Sequence, residues 1–328
     1  MTQLEIALAT FQSQRYLRPL LHSLFNQSDQ TFSVLVADDG STDATLDILS
    51  EFSIAHPNRI RVLQFEERAG GPCQNFSRLL DAAQSKYLMF CDHDDVWLPN
   101  KIEISLKRMR EVEAILGSHT PILVHTDLSV VDLELRPLFS SFSRQEKLSA
   151  HKSNLRQLMV QNNVTGCTML LNKALYEIAR PIPHGAAMHD WWIALVAAAF
   201  GKVSFVENAT ILYRQHERNS VGITKRRGWA HYYLKAGNFV RGRGMGHGRL
   251  LRITDQAQQF RDRYASRLSA KQYALFNDLA NLWSLAVPRR LWILIANRFF
   301  AFRTRRTIEL LIGALNRRSA SPDKLLRK

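Results

Sequence analysis

Short apolar runs recur along the first 130 residues, separated by longer stretches in which apolar residues return every three or four positions. Residues 4–9, 33–37, 60–65, 86–91 and 122–126 read as buried strands, and 16–26, 44–55, 74–84 and 101–116 as amphipathic helices. Alternation of this kind predicts a mostly parallel sheet with helices on both faces, a Rossmann-like α/β architecture. The pattern is less regular up to about residue 222: helical stretches at 172–180 and 191–200, short strands at 202–206 and 210–214. From residue 224 it becomes helical and basic. The composition shift at 222–228 divides the chain into an expected domain of residues 1–222 and a helical C-terminal extension of residues 223–328.

Charge sharpens that division. The chain of 328 residues has a formal net charge of +15, but residues 223–328 carry 23 Lys and Arg against 5 Asp and Glu, so the first 222 residues are slightly acidic. A basic segment of this strength favours a polyanion, either nucleic acid or an anionic membrane face. Trp292, Ile293, Leu294, Ile295, Phe299, Phe300 and Phe302 alternate with Arg289, Arg290, Arg298, Arg303, Arg305 and Arg306. The mixture suits an amphipathic helix on an anionic membrane surface, or equally a subdomain that packs its apolar stripe and leaves Arg in water. An apolar content of 46% excludes disorder as the main state. No apolar run approaches the ~18 residues of a spanning helix, and the N-terminus enters a strand pattern at Leu4 without a basic leader, so a cytoplasmic protein is expected, with peripheral attachment to the inner membrane face as an option. Cys73, Cys91 and Cys167 are odd in number and widely spaced, and read as buried thiols of a reducing compartment.

The candidate chemistry lies at strand ends. Phe90-Cys91-Asp92-His93-Asp94-Asp95-Val96-Trp97 places three carboxylates in four positions after a strand, and Asp38-Asp39-Gly40-Ser41-Thr42-Asp43 follows the second strand. Adjacent carboxylates raise one another's pKa unless a cation neutralises them. Both runs fall at the carboxyl edge of a parallel sheet, where open α/β sheets bind ligands, and together they predict one metal-assisted site. A solvated acidic loop, with Asp95 capping the helix that follows Pro99, is the alternative.

These motifs resemble, in order, those of family-2 glycosyltransferases of the GT-A fold, especially the rhamnosyltransferase-type branch of bacterial polysaccharide synthesis. The resemblance covers about residues 3–222 and also rests on Ala9-Thr10-Phe11, Gly70-Gly71 with Asn75, Thr165-Gly166-Cys167, His189-Asp190-Trp191-Trp192 and Tyr213-Arg214-Gln215-His216. It implies an inverting transfer of a sugar, rhamnose among the options, from a nucleoside-diphosphate donor to a glycan or lipid-linked acceptor. By the same resemblance Asp39 would accept from the base or ribose, beside Asp38 and Thr10, while Gly70 and Gly71 admit the nucleotide. Asp92 and Asp94 match the Asp-x-Asp pair that holds Mg²⁺ or Mn²⁺, with Asp94 the direct ligand and Asp92 serving ribose or metal. His216 would add a ligand near the diphosphate, unless it is a loop histidine with a local hydrogen bond. Asp190, heading an apolar helix, is the candidate base for the acceptor hydroxyl, though a carboxylate there also suits the helix dipole. Gly166, Trp191 and Trp192 fall on the acceptor side, with the Ser-rich residues 137–152 as an acceptor-side loop. A metal-dependent nucleotidyltransferase and a non-catalytic nucleotide-sugar or polyanion-binding protein are the rival readings; nucleic acid as the partner would leave the acidic strand ends unexplained.

Overall fold

The computed structural model describes residues 3–148, 150–215 and 245–316. Its residues divide into two compact units: Met1–Ser153, Asn163–His184 and Met188–Ser220 form the first, and Asn154–Asn162, Gly185–Ala187 and Val221–Lys328 the second. Two short segments upstream of residue 222 thus belong with the C-terminal helices, and the 222–228 stretch lies outside the described residues.

The first unit is built on β1 (Leu4–Thr10), buried along its whole length and flanked by β2 (Phe32–Asp38) and β4 (Tyr87–Asp92), with β3 (Ile60–Leu63) outside β2, all parallel. Helices α1 (Gln14–Phe25), α2 (Thr45–Ala55) and α3 (Pro72–Ala82) make the crossovers. Leu17, Leu20, Leu21 and Leu24 of α1 are buried at helical spacing, the one-sided stripe a sheet-covering helix requires. Register pairs Thr10 with Asp38 and Ala9 with Asp92, so the ends of three neighbouring strands deliver Thr10, Asp38 and Asp92 to one edge.

Beyond β4 the sheet changes character. Its nine strands include the path β3-β2-β1-β4-β8-β6-β9-β5, in which β8 (Met169–Asn172) lies antiparallel between β4 and β6 (Ile122–Val131), and β7 (Pro137–Phe139) pairs with β6. The two short strands expected at 202–206 and 210–214 are one strand, β9 (Lys202–Arg214), parallel to β6. Thr126 pairs with Val206 and Asp127 with Ala209, so the exposed Glu207 and Asn208 bulge out; that polar interruption is why the pattern reads as two strands. The two-residue β5 (Val96–Trp97) pairs antiparallel with β9 and leads toward α4 (Lys101–Leu116). Asn100 is the N-cap of α4, so Asp95 does not cap it. Residues 137–145 hold β7 and the short α5 (Phe142–Gln145), fastened by Asp127, whose carboxylate accepts from the Ser141 and Ser143 hydroxyls. The single segment expected at 172–180 is α7 (Lys173–Ala179), capped by Asn172, whose carboxamide also accepts from the Ile122 amide and donates to the Thr120 carbonyl. Helix α8 (His189–Phe200) is buried from Trp192 to Ala197, and its nearly continuous apolar sequence follows from that burial.

The second unit contains α6 (Leu155–Val160), α9 (Met245–Tyr264), α10 (Ala270–Ala280), α11 (Val287–Ala296) and α12 (Thr304–Gly313). Phe260 and Phe276 stack between α9 and α10 with centroids 4.3 Å apart, and Ser269 with Gln272 forms a capping box at the start of α10. Arg290, expected on a wet or membrane face, is instead buried: it donates to the carbonyls of Leu285, Ala314, Asn316 and Trp283 and lies over the Trp283 ring. Ile293, Leu294 and Phe299 are buried as well, whereas Trp292, Ile295 and Phe300 are exposed.

Candidate functional site

Asp38 and Asp39 follow one another but do different work. Asp38 accepts from the Thr10 hydroxyl at 2.7 Å, the Ser41 hydroxyl and amide at 2.7 Å each, and the Gly40 amide at 3.0 Å. Both of its oxygens are thus engaged in fixing the turn that leaves β2. Asp39, nearly buried, uses one oxygen to hold the Ala69 and Gly70 amides. Arg68 closes the same corner, donating to the Asp39 carbonyl at 2.7 Å and lying over the exposed Phe11 ring, 4.7 Å from its centroid. Gly70 and Gly71 have φ of 78° and 147°, backbone that side chains disfavour, and no atom lies within 4 Å of where a Cβ would stand. Asn75, on the helix that Gly71 caps, ties this loop back to β2 through the Ala37 carbonyl.

At the end of β4 the chain turns through His93 and Asp94, and the side chains of consecutive residues diverge. Among the described residues, Asp92, Asp95 and Cys167 form a group whose ligand atoms lie within 4.8 Å of one another; Asp94, expected as the direct metal ligand, is not in it. Burial, then repulsion from Asp94 and Asp190, pushes the Asp92 carboxyl up to about 7. Burial and the charges of Asp94 and Asp92 push Asp95 well above the usual carboxylate range. Neither Asp95 oxygen has a geometrically complete hydrogen bond among the described residues. Lys101, at the start of α4, is fully buried with its ammonium 4.5 Å from the Trp97 centroid; burial pulls its pKa down to about 8, opposed by Cys167, Cys91 and Asp95. Arg214 holds the turn in place by donating to the Asp94 carbonyl at 3.2 Å and to the Leu133 carbonyl.

This oxygen-rich group fits a hard divalent ion such as Mg²⁺ or Mn²⁺, because Asp95 presents buried oxygens without complete hydrogen bonds and Asp92 is raised first by burial and then by a repulsion that a cation would relieve. The Cys167 thiol is pushed well above its ordinary pKa, first by burial, and stays protonated, a poor ligand for such an ion.

Gly166 forms a single 3-10 turn with Cys167 and Thr168 before β8, and a Cβ there would stand 2.7 Å from His189 Nε2 and 3.6 Å from Asp190 Cβ. The turn therefore needs glycine to approach the head of α8. Asp190, in the first turn of that helix where a carboxylate suits the dipole, accepts from the Trp191 amide, and its charge is one that raises Asp92. One carboxylate thus both accepts a backbone amide at the head of α8 and lies within electrostatic reach of Asp92. His189 is buried between Phe76 and Phe90, and desolvation holds it neutral by pulling its pKa to about 3. Trp192 does not wall an acceptor site: it is fully buried and its indole donates to the Ala179 carbonyl. Trp191 is partly exposed. His216 lies outside the described residues.

Sequence reasoning passed over Lys101, Arg68 and the company kept by Cys167. Lys101 resembles any first-turn lysine, and Cys167 is 72 positions from Asp95. Asp95 had a visible signal, the third carboxylate in four residues, which the helix that follows disguised as a cap.

The chain matches the family model described as "Glycosyl transferase family 2" over residues 5–178, more than half of its length. It is 26% identical over 226 residues to the dTDP-rhamnosyl transferase RfbG of Shigella flexneri, covering 66% of this chain and 73% of that one. Among solved structures it is similar to residues 1–349 of TarS from S. aureus in complex with UDP-GlcNAc, with TM-score 0.54, 16% identity and coverage of 95% and 90% of the two chains. The mannosyltransferase PcManGT of Pyrobaculum calidifontis, in complex with GDP-Man and Mn²⁺, matches with TM-score 0.50 and 14% identity over 95% of this chain and 86% of that one. The strand edge that gathers Thr10, Asp38 and Asp92, together with the family match across it, leads to one conclusion: the chain is a glycosyltransferase and belongs to glycosyl transferase family 2.

Proposed function

We propose that this glycosyltransferase moves a sugar, with inversion, from a nucleoside-diphosphate donor to a hydroxyl of a glycan or lipid-linked acceptor in polysaccharide synthesis. The observation that carries the reading is the arrival of Asp38, followed by Asp39, and of Asp92 at one sheet edge, with Asp95 grouped beside Asp92 and Asp190 close enough to raise Asp92 electrostatically. The Asp39 corner, walled by Phe11 and Arg68 and floored by the open Gly70-Gly71 backbone, receives the nucleoside. Asp92 and Asp95, with Asp94 and His216 as further candidates, hold Mg²⁺ or Mn²⁺. Such an ion supplies Lewis-acid stabilisation of the charge that develops on the leaving diphosphate. Asp190 takes the proton of the acceptor hydroxyl as it attacks the anomeric carbon, and Trp191 borders the acceptor.

Similarity to RfbG makes dTDP-rhamnose the first donor to test, and the basic C-terminal segment agrees with work at a membrane face beside a lipid-linked acceptor. A screen of UDP-, dTDP- and GDP-sugars, read as nucleoside-diphosphate release, tests the reading. Release should stop in EDTA and return with Mn²⁺ or Mg²⁺, and Asp190→Asn should keep donor binding while lowering turnover roughly a hundredfold or more. Full activity in chelator sinks the metal assignment, near-normal turnover of the variant returns Asp190 to helix capping, and pyrophosphate release points to nucleotidyl transfer.

A further inference from the structure

Helix α11 is apolar on two sides, and only one of them is covered. Arg290, Ile293 and Leu294 are buried, while Trp292 and Ile295, one helical turn apart, are 55% and 54% exposed, and Phe300 just past the helix end is 39% exposed. Arg289 and Arg298 are also exposed, Arg289 with its guanidinium 4.3 Å from the Trp292 centroid. Between Asp278 and Glu309 the sequence holds no carboxylate at all but six arginines. The acidic residues at either end are engaged: Asp278 accepts from Asn297, and Glu309 pairs with Arg249 and Arg305. Between these two carboxylates no residue of the stretch supplies a negative charge of its own.

We infer that the Arg289–Trp292–Ile295 face of α11, extended by Arg298 and Phe300, is a docking surface for an anionic lipid bilayer. The inference deepens the proposed function and rests on its membrane-side reading. Charge complementarity selects the partner: a carboxylate-free basic stretch meets acidic headgroups, and exposed Ile and Phe find hydrocarbon just beneath them. Tryptophan stacked under an arginine suits that boundary, since its ring is apolar and its N–H and the neighbouring cation remain among headgroups. A nucleic-acid surface would use the arginines but gain nothing from Ile295. No helix among the described residues is long and apolar enough to cross a membrane, so the attachment is interfacial and salt-sensitive.

The test is co-sedimentation of the full chain with phosphatidylcholine vesicles, with and without phosphatidylglycerol. The chain should bind the anionic vesicles at low salt and leave them at high salt. Trp292→Ser should weaken binding about tenfold, and Arg289→Glu with Arg298→Glu should abolish it. Nucleoside-diphosphate release without vesicles should be unchanged in every variant. Loss of release in the unmodified chain would count against the proposed reaction instead, which keeps the two failures apart. Absence of binding to anionic vesicles, equal binding to neutral ones, or retained binding by Trp292→Ser would overturn the surface. Displacement by duplex DNA that ignores Trp292→Ser would also overturn it, as a general polyanion surface.

Discussion

Asp95 in the first unit and Arg290 in the second are both more than nine-tenths buried, and both carry ionisable groups. Arg290 meets four backbone carbonyls and an aromatic face, so its guanidinium has exchanged water for a full set of partners. Asp95 has no complete hydrogen bond among the described residues, and the charges of Asp94 and Asp92 press against it. A buried charge with its partners in place holds structure together. A buried ionisable group without them is a standing cost of several kcal/mol that a ligand can relieve, and in the proposed reaction the donor diphosphate and its counter-ion would relieve it.

Neutralising each side chain in turn should separate these roles. Asp95→Asn should lower turnover by a hundredfold or more, equivalent to about 3 kcal/mol of transition-state stabilisation. Its thermal stability in chelator should be equal to that of the wild type or higher, because a like charge has gone; a destabilised but active variant would reverse the comparison. Arg290→Leu should do the opposite. Four carbonyls lose their donor, and unfolding should become easier by about 2–4 kcal/mol in denaturant melts, with nucleoside-diphosphate release per folded molecule unchanged.

The smallest effect concerns pH. Asp92 is raised from 3.8 to about 7, so the native state holds its proton longer than the unfolded chain. The stability this contributes is complete below 3.8 and is lost as pH rises toward 7. With allowance for the part exposure of Asp92, the loss should be on the order of 1–2 kcal/mol. His125 and His189, both held near 3 by burial, have the opposite slope over much of that window, losing stability as pH falls below about 6.5. The difference between wild type and Asp92→Asn across the pH series isolates the carboxylate. Saturating Mn²⁺ should remove that difference above pH 7, and a difference that persists unchanged would take Asp92 out of the metal set.

Much of the parallel half was legible in the chain. Residues 4–9 and 33–37 announce buried strands because a strand covered on both faces must be apolar throughout, a local requirement written in consecutive residues. Helix Lys101–Leu116 was expected with the bounds it has, since amphipathic period is equally local. The acidic strand ends were legible for the same reason: in a parallel sheet, position along a strand already determines which edge a side chain reaches.

What escaped depends on neighbours distant in the chain. Nothing in Met169–Asn172 says that it runs antiparallel between β4 and β6, because pairing partners are chosen by the whole sheet. Trp191 and Trp192 are identical as letters, yet rotation by one residue about α8 leaves the first partly exposed and sends the second to the Ala179 carbonyl. Arg290 and its neighbour Arg289 diverge likewise, one onto four buried carbonyls and the other onto an exposed Trp292. Sequence by itself determined the kind of chemistry, because residue types and strand periodicity are local. Tertiary structure alone decided which carboxylate is buried without a complete hydrogen bond, because burial and hydrogen bonding are properties of the packed chain.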